Sequence, residues 1–299
     1  MNDADFWESL AAACRRQQLP LLAGRLKELG FREEEKSAAN LTAVLDHLGT
    51  EVLPFLIPAL LRTANSDLAL NGLDRLCSAI PPGELLPVVA GPHGGDLLTV
   101  LGASPFLTAI LVTRRELLAE IFRRETLSAS KSEEEMLREL DGRIAPDCPF
   151  EQLQRELRLF KKQEILRIAT RDLCGLADLT VVTAEISALA AACLQKAFEV
   201  CSALLKRQYG VPLAEGGAPG AEAEFTILGM GKLGGKELNF SSDIDLMYFY
   251  SPAKKTMTAA ADASGQTSGG LPLQLYFVKL ANWITRAISQ PTANGFVFR

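Results

Sequence analysis

Along the first two thirds of the chain, apolar residues return at intervals of three and four. "FWESLAAACRRQ", "PLLAGRLKELGF" and "LTAVLDHLGTEVLPFLIPALLRTA" all carry this spacing, which puts their Leu, Val and Ala side chains on one side of a helix. "DLALNGLDRLCSAI" continues the pattern until Pro81, Pro82 and Gly83 end it. "GDLLTVLGASPFLTAILVTRRELLAEIFRR" predicts two further helices, the second starting at Ser104-Pro105, because proline suits a first helical turn. "EEEMLRELDGRIA" follows a Ser/Lys/Ser stretch that reads as a cap region. The longest helical patterns are "FEQLQRELRLFKKQEILRIATRDL" and "TVVTAEISALAAACLQKAFEVCSALLKRQYG", the second stopped by Gly210.

The texture then changes. "VPLAEGGAPGAEAE" (211–224) is rich in Gly, Ala and Pro and predicts a linker. "FTIL" and "DLMYFY" have the aromatic and β-branched residues of strands. The small, polar stretch 251–270 predicts a mobile loop. "PLQLYFVKLANWITRAIS" (272–289) predicts an amphipathic helix carrying Tyr276 and Trp283 in its core, and "GFVFR" predicts the start of another strand. The expected architecture is α+β. A large all-helical region spans 1–210, and a β-loop-β-α-β unit spans 225–299.

Composition narrows the function classes. The net charge of −5 supplies no basic field for nucleic acid. His47 and His93 are too few for a histidine-based metal site. The six cysteines (14, 77, 148, 174, 193 and 201) contain no C-x-x-C pair, so reduced, mostly buried thiols and a cytoplasmic protein are expected. The N-terminus "MNDADFWESL" is acidic and amphipathic, unlike a signal peptide. No run of eighteen consecutive apolar residues is present, so no membrane partner is expected.

The chemistry lies in "FTILGMGKLGGKELNFSSDIDLMYFY" (225–250). Gly229, Gly231 and Gly234 match the dinucleotide fingerprint G-x-G-x-x-G letter for letter, but "GKELNFSSD" is too short and polar for the crossover helix that fold needs. A P-loop fails as well: Met230 stands where its first glycine should be, and Glu237 follows Lys236. The remaining reading centres on Asp243-Ile-Asp245. Side chains two apart on a strand share a face, at about 3.3 Å rise per residue. Two adjacent carboxylates repel unless a divalent cation neutralises them. A pair of Mg²⁺ ions about 3.5–4 Å apart, held by Asp243 and Asp245, would grip a transferring nucleotidyl group. The glycines let main-chain N–H groups approach phosphate, and Lys232 and Lys236 add positive charge. The bland alternative is that Ser242-Asp243 caps a turn ahead of a strand.

The combination of strand, G-x-G-K-x-G-G, polar bridge, S-D-x-D and strand resembles the polymerase-β-like nucleotidyltransferases. The full "LGMGKLGGKELNFSSDIDLMYFY" resembles, more closely, the bifunctional glutamine-synthetase adenylyltransferase/adenylyl-removing family. "LRTANSDLALNGLDRL", "LGASPFLTAILVTRRELL", "LRLFKKQEILRIATRDLCGLADL" and "QPTANGFVFR" are similar to segments of the same family. The resemblance covers most of the chain from about residue 55. It implies a helical region followed by a nucleotidyltransferase domain, and the wording "ELNFSSDIDL" together with the long helical lead-in points to the N-terminal copy of two. That copy removes AMP from a tyrosine of glutamine synthetase by phosphorolysis, giving ADP. The second copy adds AMP from ATP, and glutamine and the PII signalling protein bias the balance. The resemblance implies nucleotide and phosphate as ligands of Gly231, Lys232, Gly234, Gly235, Lys236, Ser241 and Ser242, with Mg²⁺ on Asp243 and Asp245. The family pattern continues beyond G-F-V-[FY]-R with V-D-x-R-L-R-P, whose aspartate is a third carboxylate. The expectation is therefore a domain incomplete at Arg299, with two of three carboxylates and little activity alone; Asp262, in the polar loop, is not a replacement.

Several alternatives stay open. Arg155, Arg158, Lys161, Lys162, Arg167 and Arg171 form either a solvated helix face with partners such as Glu164, or a face toward phosphate or an acidic partner. Ser241 and Ser242 contact phosphate or cap the turn. Asn239 is positioned to hydrogen-bond across the glycine turn. Glu237 orients Lys232, helps a metal, or forms a structural salt bridge. His93, in "GPHGGD", reads as a surface turn residue. The rival functions are a PII uridylyltransferase or another nucleotidyltransferase, and a non-catalytic partner-binding helical module with a degenerate site.

Overall fold

The computed structural model describes residues 3–214, 221–251, 260–261, 267–268 and 271–299. These form two compact units, one of Met1–Ala129 with Leu166–Asp178, the other of Ser130–Ile165 with Leu179–Arg299.

The first unit is helical. Its elements are α1 (Asp3–Arg15), α2 (Leu19–Glu28), α3 (Glu34–Leu48), α4 (Leu53–Leu61), α5 (Ser66–Ala79), α6 (Pro82–Val89), α7 (Gly94–Ala103), α8 (Pro105–Thr113), α9 (Glu116–Ile121) and α10 (Arg124–Ser128). Leu22, Leu26, Leu41, Leu53, Leu70 and Leu101 are fully buried, as the three–four spacing predicts. Asn65 caps α5 by accepting from the Leu68 N–H at 3.0 Å, and Ser104 caps α8 from Leu107 at 3.3 Å with Pro105 in the first turn. Two expectations need correction. The pattern "LTAVLDHLGTEVLPFLIPALLRTA" bends by 113° at Gly49, whose φ of +93° no helix interior accepts. The stretch 94–123 gives three helices rather than two, because Arg114 leaves helical geometry (φ −132°, ψ 62°) between α8 and α9.

His93 is half-buried ahead of α7, with Nδ1 2.7 Å from Asp96 Oδ2. All six cysteines are free and all but Cys174 are buried, matching the expectation for reduced thiols.

The second unit holds α11 (Glu133–Asp141), α12 (Phe150–Leu173, of which 150–165 lie in this unit), α13 (Leu179–Tyr209), β1 (Phe225–Gly229), α14 (Gly231–Gly234), β2 (Leu246–Tyr250) and α15 (Leu273–Ser289). A minimal antiparallel pair joins β3 (Ala260–Ala261) to β4 (Thr267–Ser268). Helices dominate and the sheet is small, an α+β composition. A reciprocal capping box opens α11: Ser132 Oγ accepts from the Glu135 N–H at 3.2 Å, and Glu135 accepts from the Ser132 N–H at 2.7 Å. Gly210, at φ +84°, ends α13 as expected.

By length and composition α13 is apolar enough to cross a membrane. Its apolar side chains, among them Ile186, Leu189, Ala197, Val200 and Leu205, are instead buried within the second unit, as in a core helix.

β1 and β2 pair antiparallel, with Phe225 opposite Tyr250, Ile227 opposite Tyr248 and Gly229 opposite Leu246. Alternation gives the sheet two unlike faces. Phe225, Tyr248 and Tyr250 turn inward, where Phe225 stacks on Phe198 of α13 (5.7 Å) and on Phe277 of α15 (5.5 Å), and Tyr250 stacks on Phe277 (4.8 Å). Such ring pairs contribute about 0.5–1.5 kcal/mol each beyond their buried area. Tyr276 is fully buried on α15, and Trp283 is half-buried against Phe150 at 5.3 Å. Thr226, Leu228, Met247 and Phe249 form the opposite, exposed face.

Most of the expected mobile loop 251–270, with Asp262, lies outside the described residues, as do 215–220 of the expected linker. Flanking those six, 212–214 and 221–223 meet through a Leu213–Glu222 bridge. "GFVFR" does not form a strand. Val297 and Phe298 instead donate their N–H groups to the Ile288 carbonyl at 2.9 and 3.3 Å, and only Arg299 bonds toward the sheet, at Ile244 just ahead of β2.

Candidate active site

The glycine stretch leaves β1, makes one turn of helix and returns. Three of the four motif glycines, Gly229, Gly231 and Gly234, have a steric reason. Gly231 sits at φ +53°. A Cβ at Gly234 would lie 2.6 Å from the Gly229 carbonyl oxygen, and one at Gly229 would lie 2.8 Å from Leu233 Cγ. Gly235 carries no such restriction, its nearest neighbour being 3.6 Å away. The N–H groups of Gly231 and Lys232 make no hydrogen bond among the described residues, as the first donors of a helical turn generally do not.

The polar bridge that follows is anchored by Leu238. Its side chain is fully buried, and its N–H donates to Ser187 Oγ of α13 at 3.1 Å. A compact turn then forms at 239–242. The Ser242 hydroxyl donates to Asn239 Oδ1 at 2.7 Å, and the Ser242 N–H donates to the Asn239 carbonyl at 3.1 Å. Ser242 thus caps the turn, and Asn239 bonds across this turn rather than the glycine one. Ser241 is exposed.

Asp243 and Asp245 emerge from that turn on one side of an extended segment, both exposed, with Ile244 turned the other way. Asp245 faces the glycine turn: a Cβ at Gly231 would be 3.8 Å from its Oδ2. Main-chain bonds hold this segment from both flanks. Met230 donates to the Asp245 carbonyl at 2.8 Å, and Ile244 donates to the Arg299 carbonyl at 2.8 Å. In an antiparallel pair the main-chain groups alternate between edges. Asp245, Met247 and Phe249 therefore turn theirs toward β1, while Ile244, Leu246, Tyr248 and Tyr250 turn theirs outward.

Lys232 is exposed. Lys236 goes elsewhere. It holds a left-handed conformation (φ +58°) and lines a groove of about 1000 Å³ with Glu134, Val181, Ala188, Phe198 and Ile227. Neither Asp243 nor Asp245 lines that groove. Glu237 forms no ion pair with Lys232; its N–H donates to the Lys232 carbonyl at 2.7 Å.

Both open readings of the basic cluster on α12 change. Arg158, Arg167 and Arg171 are buried, so they form neither a solvated face nor an exposed phosphate clamp. Arg167 and Arg171 donate to main-chain carbonyls of Ala129 and Leu127 at 3.4 and 3.2 Å. Arg155 alone is well exposed, paired with Glu156 at 2.7 Å.

Among the described residues no group of three or more Asp, Glu, His or Cys side chains gathers around one point. Two neighbouring carboxylates open to solvent still suit Mg²⁺, which takes one or two protein carboxylates and fills its octahedron with water and phosphate oxygens.

A short glycine turn facing a pair of exposed acids belongs, in this chain, to a known family. The chain is a member of the glutamate-ammonia ligase adenylyltransferase family, whose model matches residues 94–299. Three relatives carry the name bifunctional glutamine synthetase adenylyltransferase/adenylyl-removing enzyme. That of Thioalkalivibrio sulfidiphilus is 35% identical over 68% of this chain and 20% of its own length. That of Psychromonas ingrahamii is 36% identical over 78% and 23%, and that of Pseudomonas aeruginosa 32% over 81% and 24%. The chain thus spans about a fifth to a quarter of the relatives it matches.

Proposed function

We propose that the face carrying Asp243 and Asp245 is a Mg²⁺-dependent adenylyl-transfer site and that it works in the removing direction on glutamine synthetase. The observation that carries this reading is the placement of both carboxylates on one exposed side, with Asp245 against Gly231. Asp243 and Asp245 would hold the ions. The ions supply charge stabilisation for the attacking and leaving oxygens of an in-line displacement.

The chain's own groups do the rest. The Gly231 and Lys232 N–H groups, with no other acceptor among the described residues, bind phosphate oxygens, and Lys232 adds charge from solvent. Gly231 holds the positive φ of +53° that brings the turn up to Asp245, a conformation that side chains rarely adopt. Phosphate attacks the α-phosphorus of the adenylylated tyrosine, the P–O bond to tyrosine breaks, and ADP leaves. A phenol has a pKa of about 10, so the tyrosine departs without a strong general acid. That is consistent with a site holding no histidine. Glutamine synthetase is then the protein substrate, and PII the regulator in the parent enzyme.

The test follows ADP release from adenylylated glutamine synthetase with phosphate and Mg²⁺. It compares this chain, a form extended by the strand the resemblance implies, and the extended form with Asp243→Asn. Activity in the extended form, lost on Asp243→Asn, is the expected result. Absence of both ADP release and ATP-dependent adenylylation from every form would leave a partner-binding module with a degenerate site.

A further inference from the structure

Arg158 is among the largest fully buried side chains, and its guanidinium meets no carboxylate among the described residues. It donates from Nη1 to the carbonyls of Gln154 (2.6 Å) and Ala287 (2.9 Å), from Nε to Gly295 (2.8 Å), and from Nη2 to Gln290. One carbonyl belongs to its own helix. Two belong to the end of α15, where carbonyls lack helical partners. The fourth closes the turn between Thr292 and Gly295, whose own bridge is 2.9 Å. Gln154, one turn earlier on α12, adds a bond to the Arg286 carbonyl at 3.1 Å.

From Gly295 the chain runs to Arg299 under a second constraint. Lys161 lies one turn beyond Arg158, 5.2 and 5.4 Å from the rings of Phe296 and Phe298. Burial pushes its ammonium pKa down. The path ends at the Arg299 carbonyl, which accepts the Ile244 N–H at 2.8 Å. Ile244 is the residue between the two acids.

We propose that Arg158 is a positioning residue for the carboxylate pair: it fixes residues 295–299 so that the Arg299 carbonyl holds the backbone between Asp243 and Asp245. The pair precedes β2 and is secured by one main-chain bond on each flank. Loss of the Arg299 bond frees one flank and lets Asp243 rotate away from Asp245. Lysine cannot substitute, because its donors radiate from one nitrogen, whereas these four bonds leave from all three nitrogens of the guanidinium. The consequence for metal binding rests on the adenylyl-transfer reading; the mechanical coupling does not.

The experiment uses this 299-residue chain as wild type, Arg158→Lys, Lys161→Met and Leu140→Ala, the last a buried site on α11 that serves as a stability control. Amide exchange is read residue by residue by NMR, and Mn²⁺ affinity by titration. In Arg158→Lys, Ile244 should exchange about tenfold faster relative to Met247 and Phe249, the worth of one hydrogen bond, with Mn²⁺ affinity falling by a similar factor. Lys161→Met should move both about threefold in the same direction, and it decides the matter if Arg158→Lys does not fold. Leu140→Ala should lower thermal stability with neither signature. If Ile244 shifts only in step with Met247 and Phe249, as in the control, the positioning role is wrong. If the wild type binds no Mn²⁺, the metal-site reading falls, while Ile244 exchange still decides the coupling.

Discussion

Arg158 and the pair Asp243/Asp245 are both charged groups of the second unit, and they sit in opposite surroundings. The arginine is sealed from water and has its donors committed to main-chain carbonyls. The aspartates are exposed, and their side chains make no hydrogen bond or ion pair among the described residues. Burying a charge costs several kcal/mol, offset here by four main-chain hydrogen bonds from the guanidinium. A group so committed cannot also bind substrate, whereas an uncommitted acid beside a glycine turn can. The contrast assigns one residue to architecture and the other two to chemistry.

Substitutions should separate the two kinds. Asp243→Asn should lower the proposed transfer rate about a thousandfold, near 4 kcal/mol in the barrier. It should leave the thermal midpoint almost unchanged; a large fall would place the acid among the structural charges. Arg158→Met should do the reverse, costing about 3 kcal/mol in a denaturant titration, because it strands buried carbonyls. The glycines offer a similar pair. Gly234→Ala forces a Cβ to 2.6 Å from a main-chain oxygen and should cost about 2 kcal/mol, while Gly235→Ala, with nothing closer than 3.6 Å, should stay within about 0.5 kcal/mol.

A last effect concerns buried groups that carry no charge at neutral pH. Burial pushes the Cys193 and Cys201 thiols from 9.0 up to about 12. Between those values the unfolded chain has released protons that the folded chain keeps, so stability falls as pH rises. The loss should reach about 1 kcal/mol per thiol by pH 10. Cys201→Ala should flatten this alkaline slope; an unchanged slope would show that Cys201 titrates alike in both states.

Much of this was legible along the chain. Three–four spacing located the long helices, Gly210 and Ser104-Pro105 marked true ends, and alternation around Ile244 put both acids on one side. The less legible parts depend on partners distant in sequence. Nothing local to "RELRLFKK" says that Arg158 meets carbonyls from 287 to 295. Basic residues at helical spacing look the same whether they face water or a turn 130 positions away. "GFVFR" carries strand-like residues, but the end of α15 competes for its N–H groups and wins. Leu238 is a single apolar residue in a polar bridge, and only the Ser187 hydroxyl opposite shows that it is an anchor. The bend at Gly49 carried a local signal, since a glycine inside an apolar run is a natural break.

The outward edge of β2 has a practical consequence. Just ahead of it Ile244 is bonded to Arg299, while the outward N–H groups of Leu246 and Tyr248 meet no strand among the described residues and these two residues border a narrow cleft of about 190 Å³. The neighbouring sheet face offers Leu228, Met247 and Phe249 to solvent. An edge of this kind is a template for any extended chain, another copy included. With that edge uncovered, this 299-residue chain at millimolar concentration should form β-linked aggregates before its helical unit melts, and Leu246→Lys should keep it soluble.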